Sequence, residues 1–165
     1  MLETTRLLLR EMSWDDLDVL AAIFADAEVM RFYPRVADRG LTALWLQRNL
    51  QRYSQYGFGV WAMVLKATGQ VIGGCGLVPQ LVEGQPEVEI SYHLCRRFWG
   101  QGLATEAARV CRDYGFEQLH CPRLIALIHP DNHSSRRVAE KTGMQLIQQL
   151  PWLGQPTWLY AVAPN

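Results

Sequence analysis

The sequence predicts a mixed α/β fold in one domain spanning residues 1–165, on three observations. Apolar residues recur at helical spacing in some segments, and alternate or run continuously over short β-rich stretches in others. Hydrophobic residues make up 49% of the 165, enough for one buried core. Only short Gly, Pro, Asp and Asn punctuation separates the segments, with no repeat, low-complexity tract or linker to divide the chain.

Taken in order, "RLLLREM" from Arg6 reads as an opening strand. "SWDDLDVLAAIFAD" follows as a helix, with Ser13 as N-cap and Leu17, Leu20, Ala21 and Phe24 at helical spacing. A second helix is expected across Thr42 to Tyr56. In "GFGVWAMVLKATGQVIGGCGLVPQ" two β-rich runs meet at "ATGQ", a hairpin signal, and "EVEISYHL" alternates as a further strand. The next helix, entered through Gly100 and Gly102, carries an apolar stripe of Leu103, Ala107, Val110 and Tyr114, with Glu106, Arg109, Asp113 and Glu117 outside it. "RLIALIHP" suits a buried strand and "DNHSSRRVAEKTG" a short helix stopped by Gly143 at C′. Two closing strands are expected, roughly Met144 to Leu150 and Pro156 to Ala163.

Composition narrows the function. Sixteen Lys and Arg balance sixteen Asp and Glu, so no basic field for nucleic acid or anionic lipid is present. The opening "MLETTRLLLREM" lacks the apolar core and cleavage site of a signal peptide, and no run approaches the roughly twenty apolar residues of a membrane span; a cytoplasmic location is expected. Cys75, Cys95, Cys111 and Cys121 have no CxxC spacing and read as core thiols. His93, His120, His129 and His133 are scattered without ligand spacing, so no metal is expected.

The stretch "RRFWGQGLATEAARVCRDYGF" puts two glycines, the poorest helix formers after proline, at a helix entrance. Strand, glycine loop, helix, strand is the arrangement in which backbone N–H groups and a helix dipole meet a phosphate. A Rossmann fingerprint is incomplete, with Thr105 in the third glycine position, and the Gly-Lys-Ser/Thr end of a Walker loop is absent.

Three separated segments, "YHLCRRFWGQGLATEAARVCRDYGFEQL", "IHPDNHSSRRVAEKTGM" and "ETTRLLLREMSWDDLDVLAAIFAD", resemble the GNAT acetyltransferase superfamily. Within it the chain is similar to the branch of ribosomal-protein N-terminal (alanine and serine) acetyltransferases. The superfamily pattern Q/R-x-x-G-x-G/A is read on Trp99, Gly100, Gln101, Gly102, Leu103 and Ala104, with the aromatic Trp99 in the first position as that branch commonly has. The resemblance implies a mixed, mostly antiparallel sheet of about six to seven strands flanked by about four helices. Two strands, "EVEISYHL" and "RLIALIHP", splay apart in that fold to form an acetyl-CoA slot.

Carried onto this chain, the resemblance implies pyrophosphate binding on the N–H groups of Gly100 through Thr105. It implies main-chain bonds from the pantetheine arm near Tyr92, His93 and Leu94, in the manner of an added strand, and a contact from Asn132. Glu89, in "E-I-S-Y" where the family has "E-I-G-Y", is the candidate base acting through water; Glu87, on the same strand face, and bulk water are the alternatives. The tyrosine that many members carry seven residues after the asparagine is replaced by Ala139. The candidate acid is therefore Ser135 or water. His93 reads as pocket wall, and Arg136, Arg137 and Lys141 are candidates for the 3′-phosphate or a solvated helix face.

The expected activity is transfer of acetyl from acetyl-CoA to a primary amine, a protein N-terminus or a small molecule, by direct attack in a ternary complex. The expected enzyme is a monomer or homodimer; a dimer would pair through an exposed closing strand carrying Trp158. A noncatalytic acyl-CoA-binding or sensing module is the alternative that the missing tyrosine keeps open. Acceptor specificity is expected in loops Tyr33 to Gly40 and Leu81 to Pro86, with Trp45, Trp61, Trp152 and Trp158 lining the pocket or filling the core.

Overall fold

The computed structural model describes residues 1–164. Eight strands form one sheet: β1 (Leu2–Glu3), β2 (Leu7–Arg10), β3 (Val60–Leu65), β4 (Gln70–Val82), β5 (Gln85–Leu94), β6 (Leu124–Ile128), β7 (Gln145–Trp152) and β8 (Gln155–Val162). Their order is β1-β2-β3-β4-β5-β6-β8-β7, and β5 with β6 is the parallel pair in an otherwise antiparallel ladder. The count exceeds the expected six to seven because β1 is two residues long, too short for a periodic signal.

Four helices pack on the sheet: α1 (Leu17–Phe24), α2 (Arg39–Tyr56), α3 (Leu103–Glu117) and α4 (His133–Lys141). Ser13 caps as expected, accepting from the Asp15 N–H at 3.3 Å at the head of a 3₁₀ turn that leads into α1. Asp16 closes the capping box on the Ser13 N–H at 2.9 Å and pairs with Arg10, two bonds at 2.8 Å, which offsets its burial. Helix α2 begins three residues earlier than the expected Thr42, because Asp38 caps it through the Leu41 N–H at 2.8 Å. Gly143, at φ 89°, follows α4 in the expected C′ position.

The sheet divides the core in two. On one face α3 packs Leu103, Ala107, Ala108 and Cys111 against Leu7, Met63, Leu77 and Ile90. On the other, α1 and α2 pack Leu17, Leu20 and Leu46 against Val60, Ala62 and Val78. Asn49 holds α2 to β3: its Oδ1 accepts from the Val60 N–H and its Nδ2 donates to the Val60 carbonyl, both at 2.8 Å. The thiols Cys75, Cys111 and Cys121 are buried, as expected, whereas Cys95 is half-buried at the end of β5. The closing strand β8 lies inside the sheet between β6 and β7, so Trp158 is not on an edge and the expected route to a dimer is corrected; the edge strand at that end of the sheet is β7. No helix among the described residues is long and apolar enough to cross a membrane.

Candidate active site

Strands β5 and β6 share one registered pair, Glu89 with Ile125, and then part. The splayed slot expected from the sequence therefore opens beside Tyr92 and Leu94. The Cys95 N–H donates to Ile72 O at 2.9 Å on the β4 side, and the two-residue alternation turns the main-chain groups of Tyr92 and Leu94 to the open edge. Trp99 reports the same direction: its indole N–H donates to Leu94 O at 2.8 Å, leaving one lone pair of that carbonyl.

Beside the slot the loop before α3 adopts a conformation that side chains disfavour. Gly100 has φ 75° and Gly102 φ 77°, and a Cβ on Gly100 would meet no protein atom within 4 Å. Glycine is therefore required by the backbone and leaves the space above it open. Among the described residues, the N–H groups of Gly100 through Thr105 donate to no protein acceptor, and the first helical bond is Glu106 N–H to Gly102 O at 3.0 Å. A run of unpaired donors at the positive end of a fifteen-residue helix is an arrangement able to hold an anion. Leu103 contributes only its N–H, since its side chain is in the core.

Sequence reasoning missed what holds this loop. Arg6 donates from Nη1 to Gln101 O at 2.9 Å and from Nε to Glu106 Oε2 at 2.7 Å, while the Arg6 N–H and Thr4 hydroxyl donate to Glu106 Oε1 at 2.8 and 2.5 Å. Burial alone would raise the Glu106 carboxyl, but the bonds from Thr4 and Arg6 outweigh it and hold the carboxyl below its ordinary range. The glycine pattern also admits a second register, Arg97-x-x-Gly100-x-Gly102, which restores the usual arginine and puts both left-handed glycines on the pattern's glycine positions.

Tyr92 also lines a cleft of about 430 Å³, together with Glu89, His93, Asn132 and Ser135 from the predicted set and with Ser91. Glu89 accepts from Gln80 Nε2 at 2.6 Å. Burial is the largest influence on its carboxyl; the Gln80 bond, a Leu127 backbone bond and the Arg52 charge oppose it, and the outcome is a value pushed up to about 7. Glu87 lies elsewhere: half-buried and ion-paired with Arg123, it does not line the cleft.

His93 packs between Phe24, at 4.7 Å between ring centroids, and Trp45, at 5.5 Å. Gly74 makes room for it, since a Cβ there would come within 2.8 Å of the imidazole. Burial lowers its pKa to about 4, and Nε2 has no hydrogen-bond partner, so the ring is a neutral wall. Tyr92 spans the slot, donating to Ser135 O at 2.8 Å, and burial raises its phenol well above the ordinary value. Asn132 caps α4 through Oδ1, accepting from the Ser135 N–H at 3.2 Å, which leaves its amide N–H₂ for the slot. Ala139 is buried in the core, so nothing acts from its position.

Other expectations divide. Trp45 and Trp152 line the cleft, whereas Trp61 is core against Tyr114 and Trp158 carries Arg136 over its ring at 4.3 Å. Arg136 is further tied to Pro130 O at 3.1 Å and Tyr160, and Lys141 faces an open depression beside Gly102, Thr105 and Arg109. The segment from Tyr33 lines the cleft through Tyr33, Pro34, Arg35 and Ala37. Leu81 to Pro86 does not: it is the tip of the β4–β5 hairpin, folded out by the turn at Glu83 and Gly84. Phe32, Arg52 and His129 line the cleft without having been singled out, because neighbours far away in sequence bring them there.

An open mixed sheet with two parted strands and a run of free N–H groups beside the gap is the architecture to be matched with known families. The chain belongs to the family described as the acetyltransferase (GNAT) domain, whose model matches residues 6–145. It is 39% identical over 160 residues to the uncharacterized protein YkkB of Bacillus subtilis (strain 168), covering 96% of this chain and 93% of that one. It is 31% identical over 154 residues to an uncharacterized N-acetyltransferase, p20, of Bacillus licheniformis, covering 87% and 82%. Its fold matches that of RimL, the ribosomal L7/L12 α-N-protein acetyltransferase, in complex with coenzyme A, with a TM-score of 0.79 at 17% identity over 97% of this chain and 95% of that one. The protein is an N-acetyltransferase of this family.

Proposed function

We propose that the chain transfers acetyl from acetyl-CoA to a primary amine by direct attack in a ternary complex. Two features carry the reading: unpaired N–H donors of Gly100 through Thr105 beside the parted strands, and Glu89, a carboxyl raised to about 7, in the cleft that Tyr92 also lines. When bound, acetyl-CoA supplies the thioester carbonyl. Gly100 to Thr105 bind its pyrophosphate, with charge-assisted bonds of about 1.5–3 kcal/mol each. The open main-chain edge at Tyr92 and Leu94 takes the pantetheine amides, with Asn132 Nδ2 beside them.

Attack needs a neutral amine. At pH 7 an α-amine with a pKa near 7.7–8.0 needs only about 1 kcal/mol to lose its proton, against about 4.6 for a lysine. A carboxylate near 7 is half ionised at neutrality and matched to that work, either directly or through water. The departing thiolate takes its proton from water or from Ser135, whose hydroxyl has no hydrogen-bond partner among the described residues. Tyr92 positions that serine through its carbonyl.

A thiol-release assay with acetyl-CoA and a panel of amines, including peptides beginning with alanine or serine, tests the reading. Release that depends on an amine and yields its N-acetyl product supports it. Tight acetyl-CoA binding with no amine-dependent release would instead support an acyl-CoA-sensing module.

A further inference from the structure

The cleft wall beyond the glycine loop is more positive than negative. Four arginines of the chain are half-buried: Arg10, Arg52, Arg112 and Arg136. Arg10 is paired with Asp16, Arg112 with Asp113, and Arg136 with the Pro130 carbonyl and Tyr160. Arg52, among the described residues, makes no hydrogen bond and no ion pair, yet it lines the cleft from α2 on the same helix face as Leu41 and Trp45. A guanidinium does not give up its charge. Its environment disfavours that charge through burial first and then through Arg48, one helical turn away, with Glu89 opposing.

A second cation faces the same space. Arg35, exposed on the segment between α1 and α2, lines the cleft and is also without a partner among the described residues. Glu89 is the sole Asp or Glu among the lining residues. The same cleft is lined by the aromatic rings of Phe24, Phe32, Trp45 and Trp152, which accept an apolar spacer.

We propose that the amine acceptor carries an anionic group, a carboxylate or phosphate, which Arg52 and Arg35 hold while the amine reaches Glu89. This rests on the acetyl-transfer reading and narrows it. Amino acids, acidic peptides and phosphorylated amines suit the cleft. Polyamines do not, since their second ammonium meets Arg52 and Arg35 as like charges. A half-buried cation with no hydrogen-bonded partner gives up hydration against the Glu89 charge alone until such a ligand arrives, the arrangement expected of a binding group rather than of a structural one.

The test uses matched acceptors that differ only in the anion: ω-amino acids of increasing length against their amides, aminoalkyl phosphates against the amino alcohols, and alanine-initiated peptides with Glu or Gln second. Diamines complete the panel. Wild type should prefer the anionic member by about tenfold or more in kcat/KM, chiefly through KM. Arg52→Met should bring the ratio within about threefold, Arg52→Lys should retain part of it, and Arg52→Glu should turn preference toward diamines. Unchanged acetyl-CoA affinity by calorimetry certifies that each variant is folded. Equal use of acid and amide by wild type, or a ratio untouched by Arg52→Met, overturns the proposal. Should no amine be acetylated, the transfer reading fails separately, and calorimetric titration of the acid and amide into the acetyl-CoA complex still decides whether Arg52 binds an anion.

Discussion

Gln80 Nε2 lies 2.6 Å from Glu89 Oε2, reaching diagonally across the β4–β5 ladder, in which Gln80 itself is registered with Glu87. The amide donor favours the ionised form of a carboxyl that burial pushes the other way. If Glu89 takes the amine proton, Glu89→Gln should lower the transfer rate by about 10²–10⁴-fold while acetyl-CoA affinity stays near wild type. Below pH 7 the kcat/KM of both should fall about tenfold per pH unit, since one proton must leave the Glu89–ammonium pair or the amine alone; above pH 7 the variant should recover part of its rate as neutral amine accumulates. Full transfer by the variant at pH 7 would remove Glu89 as the base.

The same carboxyl links stability to pH. Its folded value, about 7, is raised above the ordinary 4.5, so the native state binds the extra proton. Stability is fully present below about 4.5 and falls as pH rises through 7. Glu89→Gln should therefore stabilise the protein by about 1–3 kcal/mol at pH 8 and by little at pH 4. Urea unfolding at both pH values measures it; a gain that does not grow with pH would contradict the burial account.

Gly102→Glu sets a side chain on a backbone at φ 77° and a negative charge in the N–H cradle. Acetyl-CoA affinity should drop by at least about 100-fold while the far-UV spectrum is kept. Calorimetry on the folded variant decides; wild-type affinity would deny the loop its phosphate.

Arg6 acts on that cradle from 95 residues away, through Gln101 O. Arg6→Ala should weaken acetyl-CoA binding by about tenfold with kcat at saturation unchanged, and Arg6→Lys should recover little, because the fork to Gln101 and Glu106 is lost. A fall in kcat with constant affinity would show that the network serves some other end.

Asn49→Leu tests the tie between α2 and β3. Loss of both bonds to Val60 strands its buried N–H, while the carbonyl keeps the Tyr53 hydroxyl, and should cost about 1–3 kcal/mol, read as a shifted urea midpoint. Because α2 carries Trp45 and Arg52 into the cleft, acceptor KM should rise more than acetyl-CoA affinity falls.

Local chemistry alone made several parts of this protein legible in the sequence: the Ser13 cap, the hairpin at Thr68 and Gly69, Gly143 after α4, and the two glycines before α3. Each is set by neighbours within a few residues, where φ and hydrogen-bonding preferences act. Glu89 was legible because strand alternation and the motif agree on its face. The tertiary structure alone decided what Glu87 and Glu89 become, although both stand on that face: packing gives Arg123 to one and burial beside Gln80 to the other. It also decided that Arg6 clamps the loop, that β8 is interior, and that Arg52 lines the cleft without a hydrogen bond or ion pair. Charge pairing and burial depend on distances between segments that the chain brings together only on folding, and no periodicity along the sequence encodes those distances.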